Sequence, residues 1–122
     1  MSRIRSKNTG PEKTVRSLLH RLGYRFRLHV RSLPGVPDIV LPRRKAVVFV
    51  HGCFWHRHRG CKYAYSPKSN KVFWRKKFAA NILRYSYVST QLRELGWDVI
   101  VVWECELKEL DKLQRRLSAR LG

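Results

Sequence analysis

Residues 51–61 carry His51, Cys53, Phe54, Trp55, His56, His58 and Cys61, so three imidazoles, two thiols and an adjacent aromatic pair follow directly on an apolar run at 46–50. Imidazoles and thiolates ligate transition metals and move protons near neutral pH. The stretch therefore predicts a metal site, a catalytic site, or the two interleaved. Cys53, His58 and Cys61 are spaced to converge on one ion, and the distant Cys105 follows a second apolar run that can lie beside the loop. Three cysteines and one histidine fill a tetrahedral shell and leave no open position, which predicts a structural Zn²⁺. Spacing alone leaves His56 as a substitute for His58 in that set. With His58 on zinc, His51 and His56 remain beside Asp38. A carboxylate with two imidazoles suits phosphodiester cleavage: the carboxylate holds a divalent cation, one imidazole deprotonates water and the other stabilises or protonates. Taken singly, Asp38 after Pro37 also reads as a turn residue, and each histidine as a satisfied polar group.

Two aromatic pairs, Phe54-Trp55 and Phe73-Trp74, are set among lysines and arginines. One member of each pair fills a core. The other, exposed on a basic surface, can stack on bases or wedge between them. Lys71, Arg75, Lys76, Lys77 and Arg84 lie on or near one predicted helix and can hold phosphates.

The elements that must position these groups follow from periodicity. Thr9, Gly10, Pro11 and Glu12 form a helix start, Val15, Leu18, Leu19 and Leu22 its apolar face, and Gly23 its stop. Strict alternation over 24–30 predicts a strand with one basic face. Pro37 and Asp38 open a short apolar strand at 39–41, and residues 42–45 turn it into the run ending at Val50. That hairpin brings Asp38 near His51. From about Ser69 a long helix is predicted, with Phe78, Ile82, Tyr85, Leu92 and Leu95 as its stripe and Gly96 as its stop. A buried strand at 97–103 and a terminal helix marked by Leu107, Leu110, Leu113, Leu117 and Leu121 complete an αβββαβα order. The expectation is a single α/β domain over residues 1–122, a mixed sheet flanked by helices, in which the long helix joins parallel strands.

The 122 residues hold 27 Lys plus Arg against 8 Asp plus Glu, a net charge of +19, which points to a polyanionic partner and first to nucleic acid. No apolar run of about 18 residues marks a membrane span, and no apolar signal core follows the basic N-terminus at residues 1–9, so a cytoplasmic protein without a membrane partner is expected. Three cysteines, an odd number clustered with histidines, suit metal ligation better than disulfides.

These residues resemble the very short patch repair (Vsr) DNA mismatch endonucleases. The likeness rests on residues 5–9 with Pro11-Glu12, on Leu33-Pro34-Gly35 with Pro37-Asp38, and on residues 48–56, which include His51-Gly52-Cys53-Phe54-Trp55-His56. It extends through Phe73-Trp74 with Lys77, Asn81 and Arg84, and through Leu95-Gly96-Trp97 with residues 102–105. The resemblance implies a restriction-endonuclease-like fold, a variant of the PD-(D/E)xK superfamily. It implies a Mg²⁺-dependent nick in one strand of duplex DNA, 5′ to the thymine of a T:G mismatch left by 5-methylcytosine deamination. By position it makes Asp38 and the Val50 backbone carbonyl the Mg²⁺ ligands, His56 the general base, His51 the support of the phosphate or leaving group, and Glu12 an organising acid. Phe54, Trp55 and Trp74 match aromatics that wedge into the duplex, with Lys77, Asn81 and Arg84 on the DNA. Cys53, His58, Cys61 and Cys105 match structural Zn²⁺ ligands. A bacterial, nucleoid-associated, cytoplasmic monomer is implied, with mismatch-repair proteins as partners.

Departures from the family pattern are the extra Gly60 before Cys61, Arg57 and Arg59 in place of histidines, and Tyr85 where many members carry an acid. Two other readings compete: a restriction or homing-type endonuclease with another target, and a zinc-stabilised DNA-binding module without catalysis. The second has no use for Asp38 beside His51 and His56.

Overall fold

The computed structural model describes residues 10–122. The basic segment 1–9, with Thr9 as the expected helix cap and the motif at 5–9, lies outside the described residues. Helix α1 (Gly10–Arg21) is followed by strands β1 (Arg27–Leu28), β2 (Ile39–Leu41) and β3 (Ala46–His51). Helix α2 (Lys71–Glu94), strand β4 (Asp98–Trp103) and helix α3 (Leu110–Leu121) complete the order. Short 3-10 helices at Pro42–Arg44 and Glu104–Lys108 join β2 to β3 and β4 to α3.

The sheet runs β1-β2-β3-β4, with β1, β2 and β3 antiparallel in turn and β4 parallel to β3. Only α2 is long enough to carry the chain from the end of β3 back to the start of a parallel neighbour. Alternation along the strands divides the core into two layers. Ile39, Leu41, Ala46, Val48, Ile100 and Val102 pack with Val15, Leu18 and Leu19 of α1 and Leu113, Leu117 and Leu121 of α3. Val40, Val47, Phe49 and Val99 face the other way, onto Val88 and Leu92 of α2. The result is a mixed α/β sheet covered on both faces. Helices α1 and α2 end as anticipated: Tyr24 N–H bonds Leu19 O and Trp97 N–H bonds Leu92 O, each with Gly23 or Gly96 at the turn.

Two expectations need correction. The strand predicted over 24–30 is paired only at Arg27 and Leu28, against Val40 and Ile39. Its partner β2 is three residues long between Pro37 and Pro42, which cannot donate to a ladder, and His29 leaves the extended region at φ 48. The predicted stripe of α2 holds at Leu92, which is buried, and at Phe78 and Tyr85, which are half-buried, but not at Ile82 and Leu95, which are 47 % and 56 % exposed. Val88 and Ser89 complete the buried face. Helix α2 carries apolar side chains around its circumference, so periodicity alone did not separate every inward position from the outward ones.

Candidate active site and metal centre

The end of β3, the entry to β2, the first turn of α1 and the middle of α2 enclose a cleft of about 520 Å³. Asp38 stands just before β2, and its Oδ2 accepts a hydrogen bond from Val50 N–H at 2.7 Å. The hairpin register, Ile39 opposite Val48, thus directs Asp38 to Val50, while His51 lines the same cleft. Burial pushes the Asp38 carboxyl up to about 7; the Val50 N–H opposes this, the adjacent Glu12 adds to it, and Arg16 opposes it more weakly. Glu12 enters from α1 and is buried, with Oε2 accepting from Arg16 Nη2 at 3.0 Å and facing His29 Nε2 at 3.1 Å. Ligand atoms of Glu12, His29 and Asp38 lie within 4.8 Å of one another. Two carboxyls this close favour a cation between them, and hard oxygen donors suit a divalent ion such as Mg²⁺. His29 escaped the sequence reading, because the alternation in which it stands reads as strand.

His51 and His56 stack face to face, with centroids 3.7 Å apart and an interplanar angle of 5°. Tyr85 and Trp103 pack edge-on against His51 at 4.7 and 5.2 Å. Burial, and then the neighbouring His56, push the His51 imidazole down to about 3. Burial and the Arg84 guanidinium push His56 down as well. Both rings are therefore neutral near pH 7, and each has a buried Nδ1 without a hydrogen-bond partner among the described residues. A neutral imidazole with an unused nitrogen is what a general base requires. From α2, Lys77, Asn81 and Arg84, at spacings of four and three along one helical face, line the same cleft.

The second cluster sits at the far side of the loop. Ligand atoms of Cys53, His58, Cys61 and Cys105 lie within 4.8 Å of one another, and Cys105 Sγ is 3.4 Å from His58 Nδ1. Burial pushes the Cys53 thiol up to about 12, with the Cys105 and Cys61 thiols adding to it; burial raises Cys105 as well, with Cys53 opposing and Cys61 and Glu106 adding. Thiols so crowded hold their protons until a cation displaces them, and the donor set fits tetrahedral zinc. Between His56 and His58, Arg57 adopts a left-handed backbone (φ 53). That turn sends His56 to His51 and lets His58 lie flat on Trp103, centroids 4.1 Å apart, beside the cysteines. Cys105 is carried by the 3-10 helix 104–108. Glu106 fixes that helix by accepting from Trp103 N–H at 2.9 Å and from two nitrogens of Arg116 at 2.8 and 3.0 Å.

The two aromatic pairs meet in one cluster. Phe54 contacts Trp55, Tyr65, Trp74 and Phe78 with centroids 4.9 to 5.4 Å apart. Asn81 donates to the Trp55 carbonyl at 3.3 Å, which ties the loop to α2. Trp55 lines the cleft, whereas Phe73 is 53 % exposed at its rim of the cluster. Among the described residues no helix is long and apolar enough to cross a membrane.

Comparison with known proteins gives a consistent picture. The family described as DNA mismatch endonuclease Vsr matches residues 1–62. The type II nicking enzyme V.XorIIP of Xanthomonas oryzae pv. oryzae is 56 % identical over 117 residues, covering 96 % of this chain and 85 % of that protein. The DNA mismatch endonuclease Vsr of Escherichia coli is 42 % identical over 122 residues, covering 99 % and 78 %. Among solved structures, the catalytic domain of the homing endonuclease I-Bth0305I superposes with a TM-score of 0.57 at 18 % identity, covering 93 % of this chain and 94 % of that one. That likeness shows a shared, restriction-endonuclease-like fold.

Proposed function

Because this chain belongs to the Vsr DNA mismatch endonuclease family, we propose that it nicks one strand of duplex DNA 5′ to the thymine of a T:G mismatch, with Mg²⁺ for chemistry and Zn²⁺ for structure. The observation that carries the reading is the convergence of Asp38, Glu12, His51 and His56 on one cleft whose wall is basic α2. The names of the nicking relatives support cleavage of one strand.

Asp38 and the Val50 carbonyl would hold the Mg²⁺, which supplies charge neutralisation of the scissile phosphate. His56 takes the proton of the attacking water as its oxygen bonds phosphorus. The opposite P–O bond then breaks, and His51 supports the departing oxygen or the phosphate. Glu12 keeps the Asp38 carboxyl in place. Lys77 and Arg84 hold backbone phosphates and Asn81 contacts the duplex from the same helix face, while Trp55, with Phe54 and Trp74 behind it, enters the base stack beside the mismatch. Cys53, His58, Cys61 and Cys105 would hold the Zn²⁺ that staples the loop carrying both histidines. Residues 1–122 act as one cytoplasmic, nucleoid-associated domain and as a monomer, since an asymmetric mismatch needs no twofold symmetry; mismatch-repair proteins are its expected partners.

A nicking assay on matched and T:G duplexes tests the reading. A Mg²⁺-dependent nick confined to the mismatched duplex and lost in Asp38→Asn is expected. Equal cleavage of a fully paired site on both strands, or nicking indifferent to Asp38, would overturn it.

A further inference from the structure

His29 touches the acid that lines the cleft, yet does not line the cleft itself. Its backbone is left-handed (φ 48), a conformation that side-chain-bearing residues rarely hold and that the surrounding structure must impose. The turn ends β1 after Leu28 and carries the imidazole to the first turn of α1, 17 residues earlier in the chain. There Nε2 lies 3.1 Å from Glu12 Oε2, the oxygen that Arg16 also holds at 3.0 Å. The pair is secluded, with side-chain exposures of 18 % for His29 and 4 % for Glu12.

We propose that His29 is a positioning residue for the nuclease site: from the sheet edge it pins Glu12, so that the acid stays against Asp38 when both are ionised. The inference rests on the function proposed above. Two adjacent carboxylates repel, and an unrestrained Glu12 would rotate away from Asp38 whenever no cation lies between them. Arg16 opposes that rotation from the same helix, four residues on. His29 belongs to a different element, so its hydrogen bond also locks the first turn of α1 to the edge of the sheet. With Glu12 ionised, the imidazole donates from Nε2. Such an outer partner orients the ligand set before the cation arrives and thereby sets its affinity.

The test compares His29→Leu, which fills the space without a donor, with His29→Gln, whose amide nitrogen falls near the position of Nε2. Melting temperature, Mn²⁺ affinity by calorimetry, and single-turnover nicking of a T:G duplex across a Mg²⁺ series are measured. His29→Leu is expected to weaken Mn²⁺ about tenfold and to slow nicking at limiting Mg²⁺ by about 10- to 100-fold, recovering at saturating Mg²⁺. Affinity for the mismatched duplex without divalent metal should be unchanged, and His29→Gln should stay within about threefold of the parent throughout. If His29→Leu does not fold, His29→Gly, which also removes the donor and relaxes the backbone, is read in its place by the same criteria. Parental metal affinity and nicking in the donor-less variant, or equal impairment of it and His29→Gln, would overturn the proposal. Asp38→Asn is run alongside. Loss of Mn²⁺ binding there, with none in the His29 variants, refutes the positioning role alone; parental binding and nicking by Asp38→Asn refutes the nuclease site on which it rests.

Discussion

Replacing Asp38 by Asn should raise the stability of the metal-free protein while abolishing its nicking. Burial lifts the Asp38 carboxyl from 3.8 to about 7, so the folded state binds this proton more tightly than the unfolded state. A group raised in this way contributes stability that is fully present below pH 3.8 and is lost as pH rises toward 7. At about 1.36 kcal/mol per pH unit, the rise corresponds to about 4 kcal/mol lost by pH 8. Asp38 lines an open cleft, and water entry there reduces the expected loss to about 2 to 4 kcal/mol. Asn keeps the shape, still accepts from Val50 N–H, and does not titrate. Urea unfolding of both proteins in chelator at pH 4.5 and pH 8 measures the difference directly. His51 imposes the opposite dependence, since its depressed pKa of about 3 makes stability fall as pH drops below 6.5. That term is common to both proteins and cancels. Mg²⁺ at ten times its Kd should return about 1.4 kcal/mol to the parent and nothing to the variant. Parallel loss of stability in the two proteins from pH 4.5 to 8 would refute the assignment of Asp38 as a buried carboxyl crowded by Glu12.

Gly35→Ala should destabilise by about 2 to 4 kcal/mol, because a Cβ there would stand 2.4 Å from Val88 Cγ1 on a backbone at φ +71. Urea denaturation measures the loss, and pairing it with Val88→Ala should recover only the steric part. His58→Ala should lose bound zinc by elemental analysis and lower Tm by about 10 °C, as befits a removed loop staple worth about 3 kcal/mol. His56→Ala should keep its zinc and lose nicking by about 100-fold or more; the reverse outcome would exchange the two roles. Arg84→Ala should weaken duplex binding and lower the slope of log K against log salt by about 1 if it holds a phosphate, read from titrations at several salt concentrations.

Local pattern carried much of the fold. The apolar face and glycine stop of α1, the β2–β3 hairpin and the parallel crossover through α2 were legible, because periodicity and turn chemistry act over a few residues. The length of β1 was not legible, since a strand extends only as far as its partner, and β2 spans three residues. The inward face of α2 was legible only in part: Tyr85 and Leu92 face inward as their spacing predicts, but Asn81 and Val88 line the cleft while the more apolar Ile82 and Leu83 are exposed. There the sheet and the loop, and no property of the helix alone, choose the side.

The candidate site divides in the same way. Residue types and order determined which chemistries were available: thiols and imidazoles for one ion, a carboxylate for another, a basic aromatic surface for the duplex. Where His56 and His58 are placed was decided only by tertiary structure, because spacing gives the two equal reach. The left-handed turn at Arg57, the Trp103 ring under His58 and the His51 ring over His56 separate them. The coupling of His29 to Glu12 is tertiary as well, since it joins a sheet edge to a helix start across 17 residues that no local rule relates.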